Sequence, residues 1–422
     1  MPKLGFGLSL CLCLALLAPN SNGGKDAMNG QRPQSSPSPA AAQPAIAADA
    51  VNAFGLKLLA ETAGHGKGQD IFISPLSVFF ALAMTESGAA GQTRADMRKA
   101  LAVPATVGEN ALHESASALL KSLQAQTGVR LSIANALWSD ARLPLAPSFV
   151  ERCRNFYQAE ANTLDLSSPG AADIINAWVK KKTEDKIPTI VSPENLRGSP
   201  AVLTNAVYFK GGWEYKFDKT ETKEGDFHLI SNGHAGHQGK IKKVAFMHRG
   251  SISRGYRSGP GYEAAALPYA SSDIVLYAIL PARGKTPEEA LAKISVPSLR
   301  SASPPVDLDL KLPKFTLDFA AVLNSPLEKM GMASAFRGGA DFLPMGSPKF
   351  YIGQVLHKTR LEVDEEGTVA AAATAIVMRA TSAMRTPEKK ALVFDRPFAL
   401  LLCDTKTGAV LFAGVIYDPH SL

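Results

Sequence analysis

Cysteine is scarce, with four in 422 residues, and two of these, Cys11 and Cys13, lie in an N-terminal apolar run. A disulfide-dense scaffold is excluded. An excess of one charge sign is lacking too. Lys and Arg number 45 against 38 Asp and Glu, a net of +7, and the basic residues are scattered rather than gathered into a stripe. Nothing in that pattern calls for nucleic acid as a partner. After the N-terminal run no apolar stretch is long enough for a stable membrane span. Catalytic signatures are missing as well. There is no G-x-S-x-G, no H-E-x-x-H and no Walker loop. Gly233 to Lys240 imitates a phosphate loop only loosely, since Ile241 stands where Ser or Thr is needed. His228, His234 and His237 read as a polar loop between strands rather than as metal ligands. Lys240, Lys242 and Lys243 read as a solvated edge. The expectation is a chain that is not an enzyme and needs no cofactor or metal.

What is present begins with a leader. Lys3 precedes an apolar run from Leu4 to Ala18, the pattern of a signal peptide, placed here at residues 1–23. Both early cysteines follow Leu, whereas a lipid-modified cysteine follows a small residue, so a lipoprotein anchor is the lesser reading. Residues 24–47 are rich in Ser, Pro and Ala, cannot bury a core, and read as a disordered linker. One long domain, residues 48–422, follows without a second linker or a repeat. The leader and linker together suggest a secreted, extracellular or cell-envelope protein of bacterial type. Cys153 and Cys403 remain in the mature chain and read as buried and unpaired, with pairing as the alternative.

Helical signals dominate the first part of the domain. Ala53 to Leu59 carries apolar residues at helical spacing. Ser74-Pro75 reads as an N-cap with Pro at the first helical position, opening an almost wholly apolar helix over Val78 to Thr85. Gly88 to Thr93 stops it and leads into Arg94 to Leu101, and Glu114 to Gln124 is a further amphipathic helix. Strands follow at Leu131 to Trp138, Ala201 to Lys210, Asp273 to Leu280 and Asp307 to Leu312. Phe398 to Cys403 and Ala409 to Ile416 flank a turn and read as a hairpin. Helices first and strands later, without regular alternation, indicate an α+β fold.

Residues 364–391 do not read as core. Thr368, Ala370, Ala372, Thr374, Ile376 and Met378 share one face in an alternating register, and no charge occurs between Glu366 and Arg379. Such a segment is competent to become a buried strand. Thr368 to Thr381 is fourteen residues, or about 46 Å at ~3.3 Å each, enough to cross a large sheet. The competing reading is an Ala-rich surface helix, but Ala370 to Ala373 offers no apolar stripe to hold one down.

Here a resemblance becomes specific. Glu365 to Thr374, EEGTVAAAAT, is similar to the reactive-loop hinge of the serpins. FISPLS at Phe72 to Ser77, GAAGQT at Gly88 to Thr93 and LTNAVYFKGGWEYKF at Leu203 to Phe217 resemble motifs of that family in order. So do LPY at Leu267 to Tyr269, LPKF at Leu312 to Phe315, HKTRLEVDEEGT at His357 to Thr368 and DRPF at Asp395 to Phe398. The resemblance spans residues 48 to 419.

The resemblance implies a serpin fold, with three β-sheets, about nine helices and an exposed reactive-centre loop. It implies a monomeric suicide-substrate inhibitor that forms a covalent 1:1 complex with a serine protease of elastase, subtilisin or trypsin type. The hinge would be Glu365, Glu366, Gly367, Thr368, Val369, Ala370, Ala371, Ala372 and Ala373. Family spacing counted from Glu365 puts the scissile bond at Thr381–Ser382. Counting back from Phe398 favours Arg385 instead, and Met378, Arg379 and Met384 are the other candidates. Ser74, Ser77, Asn205 and His357 match a polar cluster where the main sheet opens, and Trp213 matches the residue at the loop's entry. A non-inhibitory binding or chaperone-like serpin is the alternative. Such members carry bulky, charged or proline-containing hinges, and this hinge has none.

Overall fold

The computed structural model describes residues 44–64, 68–230, 238–253, 255–301, 306–347, 350–368 and 388–420. From the N-terminal side the elements are α1 (Ala45–Ala63), β1 (Ile71–Ile73), α2 (Pro75–Glu86), α3 (Gly91–Ala100), α4 (Glu109–Gln124) and β2 (Val129–Asp140). Next come α5 (Pro147–Tyr157), β3 (Glu160–Leu164), α6 (Ala171–Lys182), α7 (Pro193–Leu196), β4 (Ala201–Gly212), β5 (Lys223–Ile230) and β6 (Gln238–Ser253). The chain continues through β7 (Tyr256–Gly259), β8 (Tyr262–Pro268), β9 (Ile274–Pro281), α8 (Pro287–Leu291), α9 (Val296–Arg300), β10 (Val306–Pro313) and β11 (Phe315–Val322). It ends with α10 (Asn324–Leu327), β12 (Gln354–Val363), β13 (Gly367–Thr368), β14 (Glu388–Val393), β15 (Phe398–Asp404) and β16 (Val410–Ile416). This is an α+β fold with three sheets and ten α-helical segments among the described residues.

Two boundaries differ from the sequence expectation. The linker was expected to end at residue 47, yet α1 starts at Ala45, and Ala47 is fully buried with its N–H donated to Ser115 Oγ. Alanines that look linker-like beside Ser and Pro are good helix formers once a surface lies against them. Residues 388–391 were grouped with the loop, yet they open β14, which pairs parallel with β10. A strand held by so distant a partner leaves little local signal.

The sheet that matters for function runs β11-β12-β4-β2-β3, with β13 attached to β4 off that path. Its two central strands, β12 and β4, are parallel and directly paired from Gln354↔Val202 to Arg360↔Tyr208. Behind it α2 is buried along its whole length, from Pro75 to Glu86. The apolar run Val78 to Met84 gives a helix with no solvent face, as the sequence indicates. The second sheet runs β1-β16-β15-β9-β8-β7, with the expected C-terminal hairpin β15–β16 inside it, away from both edges and fully buried. The third runs β14-β10-β6-β5. The main core joins residues from α1 and α2 to the hairpin and all three sheets.

Candidate functional site

The site has two parts along β4. The lower part is a buried polar row. In the ladder, His357 of β12 lies opposite Asn205 of β4, and Asn205 lies opposite Asn135 of β2. Ser74 caps α2, its Oγ accepting from the Ser77 N–H at 3.2 Å and donating to the Leu411 carbonyl at 2.7 Å. His357 Nε2 accepts from the Ser74 N–H at 3.2 Å. That nitrogen is therefore unprotonated, and Nδ1 carries the proton and donates to Asn205 Oδ1. Asn205 Nδ2 donates to Ser77 Oγ and to Asn135 Oδ1. Asn135 Nδ2 donates to the Ser77 carbonyl at 3.1 Å. Every member is buried, and burial pushes the His357 imidazole down to about 3. The row ties α2 to β2, β4 and β12.

The upper part is the hinge. Above Arg360 and Tyr208 the direct pairing of β12 with β4 ends. Beyond β12 the chain turns back on itself. Asp364 Oδ1 accepts from the N–H groups of Glu366 and Gly367, at 2.8 and 3.1 Å, and the Asp364 N–H donates to the Gly367 carbonyl at 2.9 Å. This side-chain-stabilised turn reverses the chain, and Gly367 and Thr368 then pair antiparallel with Gly212 and Gly211 of β4. Gly367 sits at φ +149°, and a Cβ there would strike the backbone of Gly211 and Gly212. Only glycine passes this point.

Charged groups hold the turn in place. Glu365 is buried, accepts from Thr222 Oγ1 at 2.8 Å and pairs with Lys314 at 3.0 Å. Burial works against its charge, but its own backbone N–H, Thr222 and Lys314 together hold the carboxyl below the usual range. Glu366 pairs with Lys216 at 2.6 Å and Lys219 at 3.2 Å, which depress it as well. Trp213 donates its indole N–H to the Asp364 carbonyl at 2.8 Å and its backbone N–H to the Glu366 carbonyl at 3.0 Å. Thr368 is fully buried, its Oγ1 2.6 Å from the Tyr269 hydroxyl.

Ser74, Ser77, Asn205 and His357 thus form one hydrogen-bonded cluster, while Trp213 stands apart from them at the far end of β4, beside the hinge. Asn135 was missed, although a lone Asn within the buried run Ala134 to Trp138 was a readable signal. Tyr269 and Lys314 lay within motifs already singled out but carried no role there. Of the expected hinge, Glu365, Glu366, Gly367 and Thr368 are described. Val369 to Ala373 and the candidate bonds at Met378, Arg379, Thr381, Ser382, Met384 and Arg385 lie outside the described residues.

Cys153 and Cys403 are both buried and free, and burial pushes each thiol up to about 12. Among the described residues no group of three or more His, Cys, Asp or Glu side chains could hold a metal ion. None of their helices is long and apolar enough to cross a membrane. His234 and His237 lie outside the described residues. Lys243 pairs with Asp226 at 2.6 Å and Lys242 with Asp418 at 2.5 Å, as solvated edge charges do.

The family model for serpins, serine protease inhibitors, matches residues 49–419. Serpin B6 of Macaca fascicularis is 34% identical over 385 residues, covering 89% of this chain and all of that protein. The leukocyte elastase inhibitor of Bos taurus is 32% identical, covering 87% of this chain and 97% of that one. The crystal structure of human glycosylated kallistatin superposes with a TM-score of 0.78 at 28% identity, covering 90% of this chain and all of that chain. These are animal proteins, and the bacterial type expected from the leader has no support in them. An ordered polar row, a glycine-lined strand opening and a match over nearly the whole domain lead to one assignment: the chain belongs to the serpin family of protease inhibitors and is not an enzyme.

Proposed function

We propose that this serpin traps serine proteases as a suicide substrate, cut at Thr381–Ser382, in a covalent 1:1 complex. One observation carries the reading. β12 and β4 are directly paired along most of their length, while Gly367 and Thr368 have already begun an antiparallel strand at their upper end. A loop cut further along is free to continue that strand between them. Every residue from Thr368 to Met378 is uncharged, so nothing in the sequence opposes burial. Insertion carries the acylated protease from one end of the sheet toward the other. Thr381 as the residue before the bond suits an elastase-like or subtilisin-like pocket. The leader over residues 1–23 supports action outside the cell or in its envelope.

The test incubates the mature chain with elastase-, subtilisin-, chymotrypsin- and trypsin-like proteases. A complex resistant to denaturing electrophoresis is expected with at least one. The mass of the released C-terminal peptide then identifies the bond, with Ser382 as the expected new N-terminus. Clean cleavage by every protease without a complex would overturn the inhibitory reading in favour of a binding role. A released peptide beginning after Arg379 or Arg385 would move the bond and the target class to trypsin-like enzymes.

A further inference from the structure

Thr368 is already inside the sheet although the chain is intact. Its register partner is Gly211, and a Cβ at Gly211 would meet the Tyr269 ring at 2.7 Å. The ring therefore lies against bare backbone, directly beside the position that Thr368 fills. Tyr269 is fixed by its neighbours, with ring centroids 4.5 Å from Trp213 and 4.9 Å from Phe209, and by its N–H donated to the Ile274 carbonyl at 3.0 Å. Its hydroxyl sits at the end of a rigid arm. Among the described residues the hydroxyls of Tyr269 and Thr368 are each other's hydrogen-bond partner, at 2.6 Å. Both side chains are buried, so neither hydroxyl can turn to solvent instead.

We propose that Tyr269 is a positioning residue for inhibition, its hydroxyl latching Thr368 into the mouth between β4 and β12 before the loop is cut. The proposal rests on the inhibitory reading above and says how its first step is prepared. With Thr368 latched opposite Gly211, the first ladder contact and the register are set in advance, and insertion only extends them. A chain with an unlatched hinge must dock first, so its insertion rate falls with the docked fraction. Removing one hydroxyl leaves the other buried without a partner, which shifts the docked population by about tenfold.

The test uses the mature chain with Tyr269→Phe, Thr368→Val, the two combined, and Thr368→Ser. Tyr269→Phe keeps the ring contacts, Thr368→Val keeps the shape, and Thr368→Ser keeps the hydroxyl. Without protease, hydrogen exchange is followed at the amides of Trp213 and Gly367, which bond to the Glu366 carbonyl and Asp364 Oδ1. The expected result is exchange about tenfold faster in the Phe and Val variants, with the Ser variant close to the parent. With a protease that the parent traps, the Phe and Val variants should need more inhibitor per protease. The double variant should be no worse than either single one, because the two hydroxyls act as a unit. Parental exchange in the Phe and Val variants would overturn the proposal, and so would losses that add in the double variant. If the parent traps no protease, the inhibitory reading fails on its own account, and the exchange data still decide whether the hydroxyl pair holds the hinge.

Discussion

His357 accepts from one backbone N–H and donates to one side chain, so both ring nitrogens are used only when the ring is neutral. A second proton on Nε2 would face the Ser74 N–H with no acceptor. Its folded pKa, near 3, lies below the ordinary 6.5. Between those values the unfolded chain binds a proton that the folded chain refuses. Stability from this group is therefore full above about pH 6.5 and falls as the pH drops toward 3, at about 1.4 kcal/mol per pH unit where the difference is a whole proton. His357→Gln should flatten the pH dependence of urea unfolding between pH 6 and 4 by about one proton, and an unchanged slope would place the titration elsewhere. Glu365 and Glu366 act in a lower window. Their depressed carboxyls stabilise the fold above the ordinary value of 4.5 and stop doing so as the pH falls beneath it. The two thiols give a third expectation at this scale. Raised to about 12 by burial, Cys153 and Cys403 should resist a maleimide in the folded chain and react only on unfolding.

At the scale of elements the hinge register makes a sharper statement. Thr368 lies opposite Gly211 in an antiparallel pair. Continuing that register puts Ala370 opposite Phe209, Ala372 opposite Val207 and Thr374 opposite Asn205, with the inward face kept small. A charge at the head of the strand would have to enter the Gly211–Tyr269 mouth unpaired, at several kcal/mol. Thr368→Arg should therefore convert the inhibitor into a substrate, with cleavage retained and the stable complex lost. An unchanged inhibition stoichiometry would refute the register argument. The same scale separates what the sequence made legible from what it did not. The helix after Ser74, the strand through Asn205 and the C-terminal hairpin were readable because their periodicity or turn chemistry is local. The pairing of β14 with β10, the burial of Ala47 and the place of Asn135 depend on partners far along the chain. Ser74, Asn205 and His357 were identified through a family pattern, and the geometry supplies the reason for it. Tyr269 carried no role in the sequence because its function is a contact across 99 residues.

For the whole molecule the question is why a paired sheet should open. β12 and β4 share seven register pairs, from Gln354↔Val202 to Arg360↔Tyr208, and these must part before a strand can lie between them. The inserted strand then pairs on both sides, so one ladder becomes two. The new ladder bonds, at about 1 kcal/mol net each, roughly cancel the ordering of the loop backbone at ~1–2 kcal/mol per residue. What remains is side-chain burial. Ile376 and Met378 contribute about 2 kcal/mol each, and the inward alanines add about 1 kcal/mol between them on the same scale, for a total of roughly 5 kcal/mol. With an unfolding entropy of about 2 cal/mol/K per residue, a domain of this size should gain roughly 6 °C in Tm from that term alone. Relief of any strain in the uninserted sheet would add to it. Nicking the loop with a protease that the chain does not trap, followed by a thermal melt, measures the gain directly. A rise of at least that size means that the intact fold is held short of its most stable state by an uncut loop. No rise would mean that the strand begun at Gly367 and Thr368 goes no further, and the proposed trap would lose its source of free energy.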